Sequence, residues 1–303
     1  VDYMDIPIDL GLDKDVWIKG SEVVPGDPAV LHHIITTVVP PEGAPDFQQI
    51  LMELLASLPA EKAQSIRATL FAAVASGQHP DIGAIFKEIP ELDIGTCLGS
   101  SDPDLGSVAG YAPGNNSSLN HPGVGGLLKA GTTLNLQMHY TTSGKEAVDA
   151  SEIGIYLLDE APDRPILGGS AADLKISIEP FEADHEMVAT KTFRKDALLT
   201  MIGPHMHYRG SDANFKLVYP DGKVEEILNV PNYQFNWQKT YDFKEPKFLP
   251  AGTEMVFRAT FDNSANNPFN PDPSSTISWG EQTWQEMFFG FFRYVDAESS
   301  EGE

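Results

Sequence analysis

The sequence TTLNLQMHY, at residues 132–140, alternates apolar and polar side chains more regularly than any other part of the chain. Successive side chains of a β-strand point to opposite faces of the sheet. One face of this stretch would therefore carry Leu134, Leu136, Met138 and Tyr140, and the other Asn135, Gln137 and His139. The stretch predicts a half-buried strand with His139 on its polar face.

Short segments of the same kind, separated by Gly, Pro, Asn and Asp, fill most of the remaining sequence. Residues 214–219 and 223–228 flank the turn sequence PDG, which is typical of a β-hairpin. Residues 252–262 and 283–294 also predict strands. Because these strands are not interleaved with helices, we expect an all-β fold of antiparallel sheets packed face to face.

One segment departs from this pattern. Residues 46–88 place apolar side chains at helical spacing, which predicts a helical hairpin inserted in the first domain. The polar sequence DEAPDRP at 159–165 contains two prolines and separates two strand-like stretches. We place a boundary there, which gives an N-terminal domain at 1–162 and a C-terminal domain at 163–303.

The charge balance restricts the partners of the chain. It has 44 Asp and Glu against 20 Lys and Arg, a formal net charge of -24. Such a surface repels phosphate backbones and anionic lipid headgroups, so we expect no nucleic-acid binding. No stretch reaches the roughly 18 uninterrupted apolar residues of a spanning helix, so we expect no membrane insertion. The negative charge suits a cationic or neutral small-molecule partner or a salty environment, and does not choose between them.

Five of the eight histidines occur in three places that favour metal binding: His32 with His33, His139, and His205 with His207. Residues i and i+2 of a strand share a face, so the last pair could bind one ion. Neighbours on a regular strand point to opposite faces, so the first pair could share an ion only at an irregular backbone or through different ring nitrogens. Each group has a structural alternative, because a single half-buried histidine is commonly just a hydrogen-bonded residue.

Met287 lies in the aromatic-rich stretch at 283–294. A buried methionine is usually core filler, because its flexible side chain fits irregular gaps. Its thioether matters here because a soft sulfur ligand beside histidines favours copper over zinc.

Four short motifs follow one another along the chain: LHHI at 31–34, LQMHY at 136–140, HMHYRG at 205–210 and QEM at 285–287. Their order resembles the copper type II, ascorbate-dependent monooxygenases, the family of peptidylglycine α-hydroxylating monooxygenase and dopamine β-monooxygenase. The resemblance runs over nearly the whole chain, and the four motifs together are far more specific than any one. It implies two antiparallel β-sandwich domains of jelly-roll type beside a cleft.

The resemblance also implies two copper ions per chain and hydroxylation of a C–H bond of a small molecule with O2. The ligands of the electron-transferring copper would be His32, His33 and His139. The ligands of the catalytic copper would be His205, His207 and Met287. The implied electron donor is ascorbate, another external reductant or an electron-transfer domain, and the implied location is periplasmic or secreted.

The sequence departs from the family where the substrate would bind. Gly203 stands where peptidylglycine enzymes have an arginine that anchors the substrate carboxylate, and Phe289 and Phe291 replace an Asn and a Tyr. Arg209 is the nearby cation that could restore acid binding if its strand bends toward the cleft. We therefore expect a neutral or cationic, largely apolar substrate. The single cysteine, Cys97, excludes the intramolecular disulfides that are abundant in animal members.

Two other classes of function stay open from the sequence. The first is a non-catalytic copper-binding or copper-delivery protein on the same fold. The second is a structural or carbohydrate-binding sandwich in which the histidines are incidental. Zinc hydrolysis and Ser-His-Asp catalysis have less support, because the ligand types match zinc poorly and no nucleophile-elbow sequence is present.

Overall fold

The computed structural model describes residues 2–39, 64, 108–112, 114–141, 143–280 and 282–297. Within these residues the bounded elements are 19 β-strands, almost all paired antiparallel, so the expected all-β fold is confirmed. The expected helical insertion at 46–88 lies outside the described residues, apart from residue 64. Nothing in the described part of the chain forms a helix of the length and apolar character needed to span a bilayer.

The first nine strands form two sheets. One has the order β1-β7-β3-β4, and the other has the order β5-β2-β6-β9, with β8 pairing on β2. All of these pairs are antiparallel except β6 with β9. The strands are β1 Asp2–Asp9, β2 Val16–Val24, β3 Leu31–Val39, β4 Gly110–Tyr111, β5 Ser117–Leu119, β6 Val124–Leu128, β7 Thr133–Tyr140, β8 Glu152–Leu158 and β9 Arg164–Pro165.

The remaining strands form two more sheets and a two-stranded ribbon, β11-β18. The sheets have the orders β10-β19-β13-β16 and β12-β17-β14-β15. The strands are β10 Leu167–Ala172, β11 Ser177–Ile178, β12 His185–Thr192, β13 Ala197–His205, β14 Gly210–Val218, β15 Val224–Val230, β16 Tyr241–Leu249, β17 Glu254–Phe261, β18 Ile277–Ser278 and β19 Phe289–Asp296.

A first hydrophobic core lies between the two N-terminal sheets. Ile18 and Val23 of β2 share it with Leu31 of β3 and with the apolar face of β7. The strand predicted at 132–140 is confirmed, and its buried side chains are Leu134, Leu136 and Met138. His139 differs from the expectation, because it is only 1% exposed although it lies on the opposite face. That face therefore belongs to a second buried region.

A second, larger core lies between the two C-terminal sheets and is rich in phenylalanine. The ring of Phe257 lies 4.7 Å from that of Phe215 and 4.8 Å from that of Phe288. β19 crosses this core at Gly290, where an added Cβ would lie 2.5 Å from Phe257 Cγ. Only glycine fits at that position without movement of the aromatic rings.

The predicted hairpin at 214–228 is confirmed as β14 and β15, with Gly222 in the left-handed region at φ +83°. The predicted strand at 283–294 is wrong at its start, because β19 begins at Phe289. Residues before it form an isolated bridge, Trp279 with Glu286, and a turn. Met287 therefore lies in an irregular segment just before the strand.

A small apolar cluster joins the two halves of the chain. Val124 of β6 packs with Ile166, and with Leu198 and Val295 of the C-terminal sheets. β9, just after the boundary expected at residue 162, still pairs with β6 of the N-terminal half. The division into domains at 1–162 and 163–303 stays a prediction.

The second core offers a direct test of its packing. Phe257 is fully buried, whereas Phe248 on β16 is 52% exposed. Phe257→Ala should lower the free energy of unfolding by about 3–5 kcal/mol, because it leaves a cavity among aromatic rings. Phe248→Ala, the same chemical change at the surface, should cost below about 1 kcal/mol. Equal losses in urea unfolding would show that Phe257 is not at the centre of this core.

Candidate metal centres

A register shift in β3 brings the two adjacent histidines to one side of their sheet. The ladder between β3 and β7 pairs Leu31 with Tyr140 and then His33 with His139, so that His32 is the extra residue of a β-bulge. His32 and His33 both line one cavity. The irregular backbone that a site shared by adjacent histidines requires is therefore present.

His139 on β7 completes a cluster of three imidazoles. His33 Nδ1 lies 3.0 Å from His32 Nδ1 and 3.2 Å from His139 Nδ1. Three nitrogens that bind one ion at about 2.0 Å in a tetrahedral arrangement are about 3.3 Å apart. The three side chains could therefore hold a metal ion with little adjustment, each giving one nitrogen. Residues His32, His33 and His139 are those expected from the sequence.

Burial keeps this cluster in the form that binds metals. The pKa of His33 is lowered to about 2, first by burial and then by the neighbouring His139 and His32. Burial also lowers the pKa of His139 to about 4. Both rings are therefore neutral at physiological pH, and a neutral imidazole has the lone pair that a metal needs.

The second pair of histidines lies at the end of β13. His205 is the last residue of the strand and His207 lies just beyond it, with ring centroids 5.4 Å apart and planes at 87°. The expectation that both lie on one regular strand is therefore wrong for His207. Burial lowers the pKa of both rings, that of His207 to about 3, so this pair is also neutral.

Hydrogen bonds select which nitrogen of each ring is available. Gln238 Oε1 lies 2.6 Å from His205 Nδ1, while the Gln238 amide nitrogen donates to the Phe235 carbonyl. Since an amide oxygen only accepts, Nδ1 of His205 carries the hydrogen and Nε2 keeps its lone pair. The Gln285 carbonyl, 3.2 Å from His207 Nδ1, has the same effect there.

Met287 lines the same cavity as His205 and His207. The segment that carries it is anchored by the buried side chain of Glu286. Glu286 Oε2 accepts the His207 N–H at 2.8 Å, and Oε1 accepts the Arg209 N–H at 2.7 Å. Burial raises the pKa of Glu286 to about 8, while these N–H groups and the Arg209 charge act in the opposite direction. The carboxyl group of Glu286 thus connects the HMHYR segment to the chain just before Met287.

Arg209 takes no part in the cavity. It is 1% exposed, its Nε donates to Asn263 Oδ1 at 2.8 Å, and its Nη1 donates to the Trp284 carbonyl at 2.9 Å. Nη1 also lies 3.9 Å from Glu286 Oε1. The guanidinium group is thus turned away from the histidines and occupied by the protein. It is not the cation that restores acid binding.

The two histidine groups open onto one cavity of about 590 Å³. Phe235, in the loop between β15 and β16, lies between them. Its ring stacks on His32 at 5.0 Å and lies edge-on to His207 at 6.1 Å. The distance between the ring centroids of His32 and His207 therefore cannot exceed the sum of their two distances to the Phe235 ring. The cavity is also lined by Met287, so five of the six ligand residues expected from the sequence line it, and His139 lies behind them with its Nδ1 3.2 Å from His33 Nδ1.

Sequence reasoning missed the loop residues that hydrogen-bond the histidines. Asn236 Oδ1 lies 2.9 Å from His32 Nε2, across the halves of the chain, and Gln238 holds His205. An acceptor on Nε2 leaves Nδ1 of His32 to face the cluster. Such outer partners are typical of metal-binding histidines. No motif marks this loop, and only the rule that a metal-binding histidine needs a second partner could have suggested a search for it.

Comparison of the chain with protein-family models and with curated proteins finds no match.

The hydrogen bond of Gln238 is testable without metal. In Gln238→Leu, which keeps the size but removes the acceptor, His205 should lose its Nδ1–H preference because nothing accepts that hydrogen. Two-bond ¹H–¹⁵N correlation spectra of the metal-free protein should show the change. Gln234→Leu, at an exposed position of the same loop, is the matched control and should leave His205 unaltered. A Nδ1–H tautomer that persists in Gln238→Leu would contradict the assignment.

Proposed function

We propose that the chain is a copper-dependent monooxygenase, which hydroxylates a C–H bond of a small, largely apolar molecule with O2 and an external reductant such as ascorbate. The observation that carries this proposal is the composition of one cavity. It is lined by His32 and His33, which form a three-histidine group with His139, and by His205, His207 and the thioether of Met287. A single cavity with two such ligand sets suits two-electron chemistry on a substrate between them.

The choice of copper rests on the donor atoms. Neutral imidazoles suit copper, zinc, iron and nickel, but a thioether beside them favours cuprous copper. When bound, copper would supply one-electron transfer and oxygen activation. His32, His33 and His139 would hold the electron-transferring ion through their converging Nδ1 atoms, as the distances of 3.0 and 3.2 Å allow.

The second site would be the catalytic one. Nε2 of His205 and His207 remain available because Gln238 and the Gln285 carbonyl take up the Nδ1 hydrogens. With Met287 they make three ligands, which leaves a coordination position open to the cavity. The protein's part is to fix these three groups, exclude bulk water and hold the substrate beside them.

The sheet arrangement supports two sandwich domains of jelly-roll type as the finer description of the fold. Each half has two sheets that share one hydrophobic core. Four sheets in one chain could also be blades of a propeller, but blades are usually built from strands in consecutive order. The orders β1-β7-β3-β4 and β10-β19-β13-β16 are not consecutive. A closed pair of sheets explains them better.

The walls of the cavity favour an apolar substrate. Phe289 and Phe291 lie parallel, 5.3 Å apart, and Phe291 is 39% exposed and 6.0 Å from His205. Gly203 lies opposite Phe291 in the ladder and adds no side chain. An apolar or aromatic group could therefore lie on Phe291 beside His205.

A copper-binding or copper-delivery protein is the second candidate, because it needs only the ligand sets. The two proposals differ in turnover. With ascorbate and substrate, a monooxygenase should consume one O2 for each molecule of hydroxylated product. With ¹⁸O2, the product should be heavier than the substrate by the mass of one ¹⁸O atom. Ascorbate oxidation without product would favour the delivery protein.

The two-site proposal predicts the copper stoichiometry. The full chain should bind two copper ions after loading and desalting. The double variant His32→Ala with His33→Ala should bind about one, because the second ligand set is intact. His185→Ala, at a half-buried histidine on β12 that bonds Glu182, is the control and should bind two. A wild-type value of one or zero would contradict two sites.

Substitution of Met287 tests whether its sulfur is a copper ligand or only part of the cavity wall. Met287→Ile keeps the volume and removes the sulfur, so the free energy of unfolding should change by less than about 1.5 kcal/mol. The copper–sulfur scattering in X-ray absorption of the reduced protein should disappear, and hydroxylation should fall at least about a hundredfold. Met201→Ile, in the same cavity wall, should keep the sulfur signal. An unchanged signal in Met287→Ile would make Met287 a wall residue only.

A further inference from the structure

The cavity differs in charge from the rest of the molecule. The chain has 44 acidic residues against 20 basic ones, yet none of the described cavity-lining residues is Asp or Glu. Lys239 and Arg293 both line it. Apart from its histidines and Tyr111, the ionisable side chains among these lining residues are therefore the cations Lys239 and Arg293. This arrangement disfavours a cationic ligand and favours a neutral or anionic one.

Arg293 has an unusual place in this cavity. It lies on β19 opposite Met201, and two residues before it Phe291 lies opposite Gly203. Its Nη1 donates to Ser118 Oγ at 2.9 Å, a contact across the two halves. Among the described residues no carboxylate lies within ion-pair distance of its guanidinium group. Lys239 differs, because it is exposed and bonds the Gly114 carbonyl at 3.2 Å.

A desolvated arginine without a paired carboxylate is costly to a fold. Burial lowers the pKa of Arg293, and the more distant Asp242 offsets this only in part. The group still remains a cation at neutral pH, with several donors in a planar fork. Such a fork matches a carboxylate in two parallel hydrogen bonds. A ligand with a carboxylate could therefore supply the charged partner that the Arg293 guanidinium group lacks.

We infer that Arg293 is the anchor of a substrate carboxylate, and that the cavity takes an organic acid whose apolar body lies on Phe291 with its far end beside His205. This inference names the substrate class of the proposed monooxygenase and so rests on that proposal. It replaces the neutral or cationic substrate expected from the sequence and keeps the expectation that the substrate is largely apolar.

The sheet register gives a length for this substrate. His205 lies opposite Phe289, and Arg293 is four residues farther along β19. At about 3.4 Å per residue, the backbone positions of His205 and Arg293 are about 14 Å apart along the strand direction. The carbon beside His205 is thus remote from the carboxylate rather than next to it.

Binding to the metal-free full chain tests the anchor without dependence on copper. Three probes share one body and differ only in the end group: 6-phenylhexanoate, 6-phenylhexanamide and 6-phenylhexylamine. Calorimetry should show the carboxylate binding at least about tenfold more tightly than the amide, and the amine most weakly. Equal affinities of carboxylate and amide in the wild-type chain would overturn the inference.

Variants then assign the effect to Arg293. Arg293→Gln should reduce the preference for carboxylate over amide to within about threefold, while Arg293→Lys should keep part of it because the charge remains without the fork. Arg258→Gln, which removes an arginine paired with Glu186 and Asp212 on another sheet, should leave the preference unaltered. A preference that survives in Arg293→Gln would assign the carboxylate to another group and overturn the inference.

The outcomes separate this inference from the proposed function. Carboxylate binding that depends on Arg293, without O2 consumption by the copper-loaded protein, would support the carboxylate anchor and contradict the monooxygenase proposal. Hydroxylation of the neutral amide, with no preference for the acid, would support the monooxygenase proposal and contradict the carboxylate anchor.

Discussion

Neighbouring residues of a regular strand point to opposite faces of a sheet, so His32 and His33 can serve one ion only where the ladder is interrupted. The shift between Leu31 and His33 supplies that interruption, because one residue of β3 has no partner on β7. The shift lies where β7 carries His139, which is only 1% exposed. Without the bulge, one of the two imidazoles would face the first hydrophobic core. The cluster, and with it the cavity, depends on this one irregularity.

A second constraint is the protonation of the buried imidazoles. Burial and mutual proximity lower the pKa values of His33, His139 and His207, so these rings are neutral. Neutral rings still have two different nitrogens, and the neighbouring acceptors decide which one is free. The loop between β15 and β16 does this for both groups, since Asn236 contacts His32 and Gln238 contacts His205. One short segment thus hydrogen-bonds a histidine of each group.

Much of the fold was predictable from the sequence because alternation is a local signal. The strand at 132–140 and the hairpin at 214–228 were predicted with nearly correct bounds. The start of the stretch at 283–294 was misassigned because apolar residues are buried before the strand begins: Phe288 is fully buried although β19 starts at Phe289. Local pattern cannot separate burial in a turn from burial in a strand.

The six candidate ligands were proposed from residue type and order, and the structure places five of them at one cavity, with His139 in contact with His33. Their supporting groups were not predictable. Asn236 is 204 residues from His32 in sequence, and Ser118 is 175 residues from Arg293. Arg209 was the cation nearest to the motifs in sequence, but Glu286 and Asn263 hold it in the interior. Contacts of this kind follow from the packing of the halves, which the local pattern does not contain.

The central claim is that two copper sites face each other across one cavity. Pulsed electron paramagnetic resonance of the full chain loaded with cupric ions tests it most directly. The account predicts a strong dipolar coupling between two cupric centres, with nitrogen hyperfine structure from imidazoles at both. The coupling should vanish in the His32→Ala, His33→Ala variant while one signal remains. Two magnetically isolated centres, or a single centre in the wild-type chain, would contradict the claim.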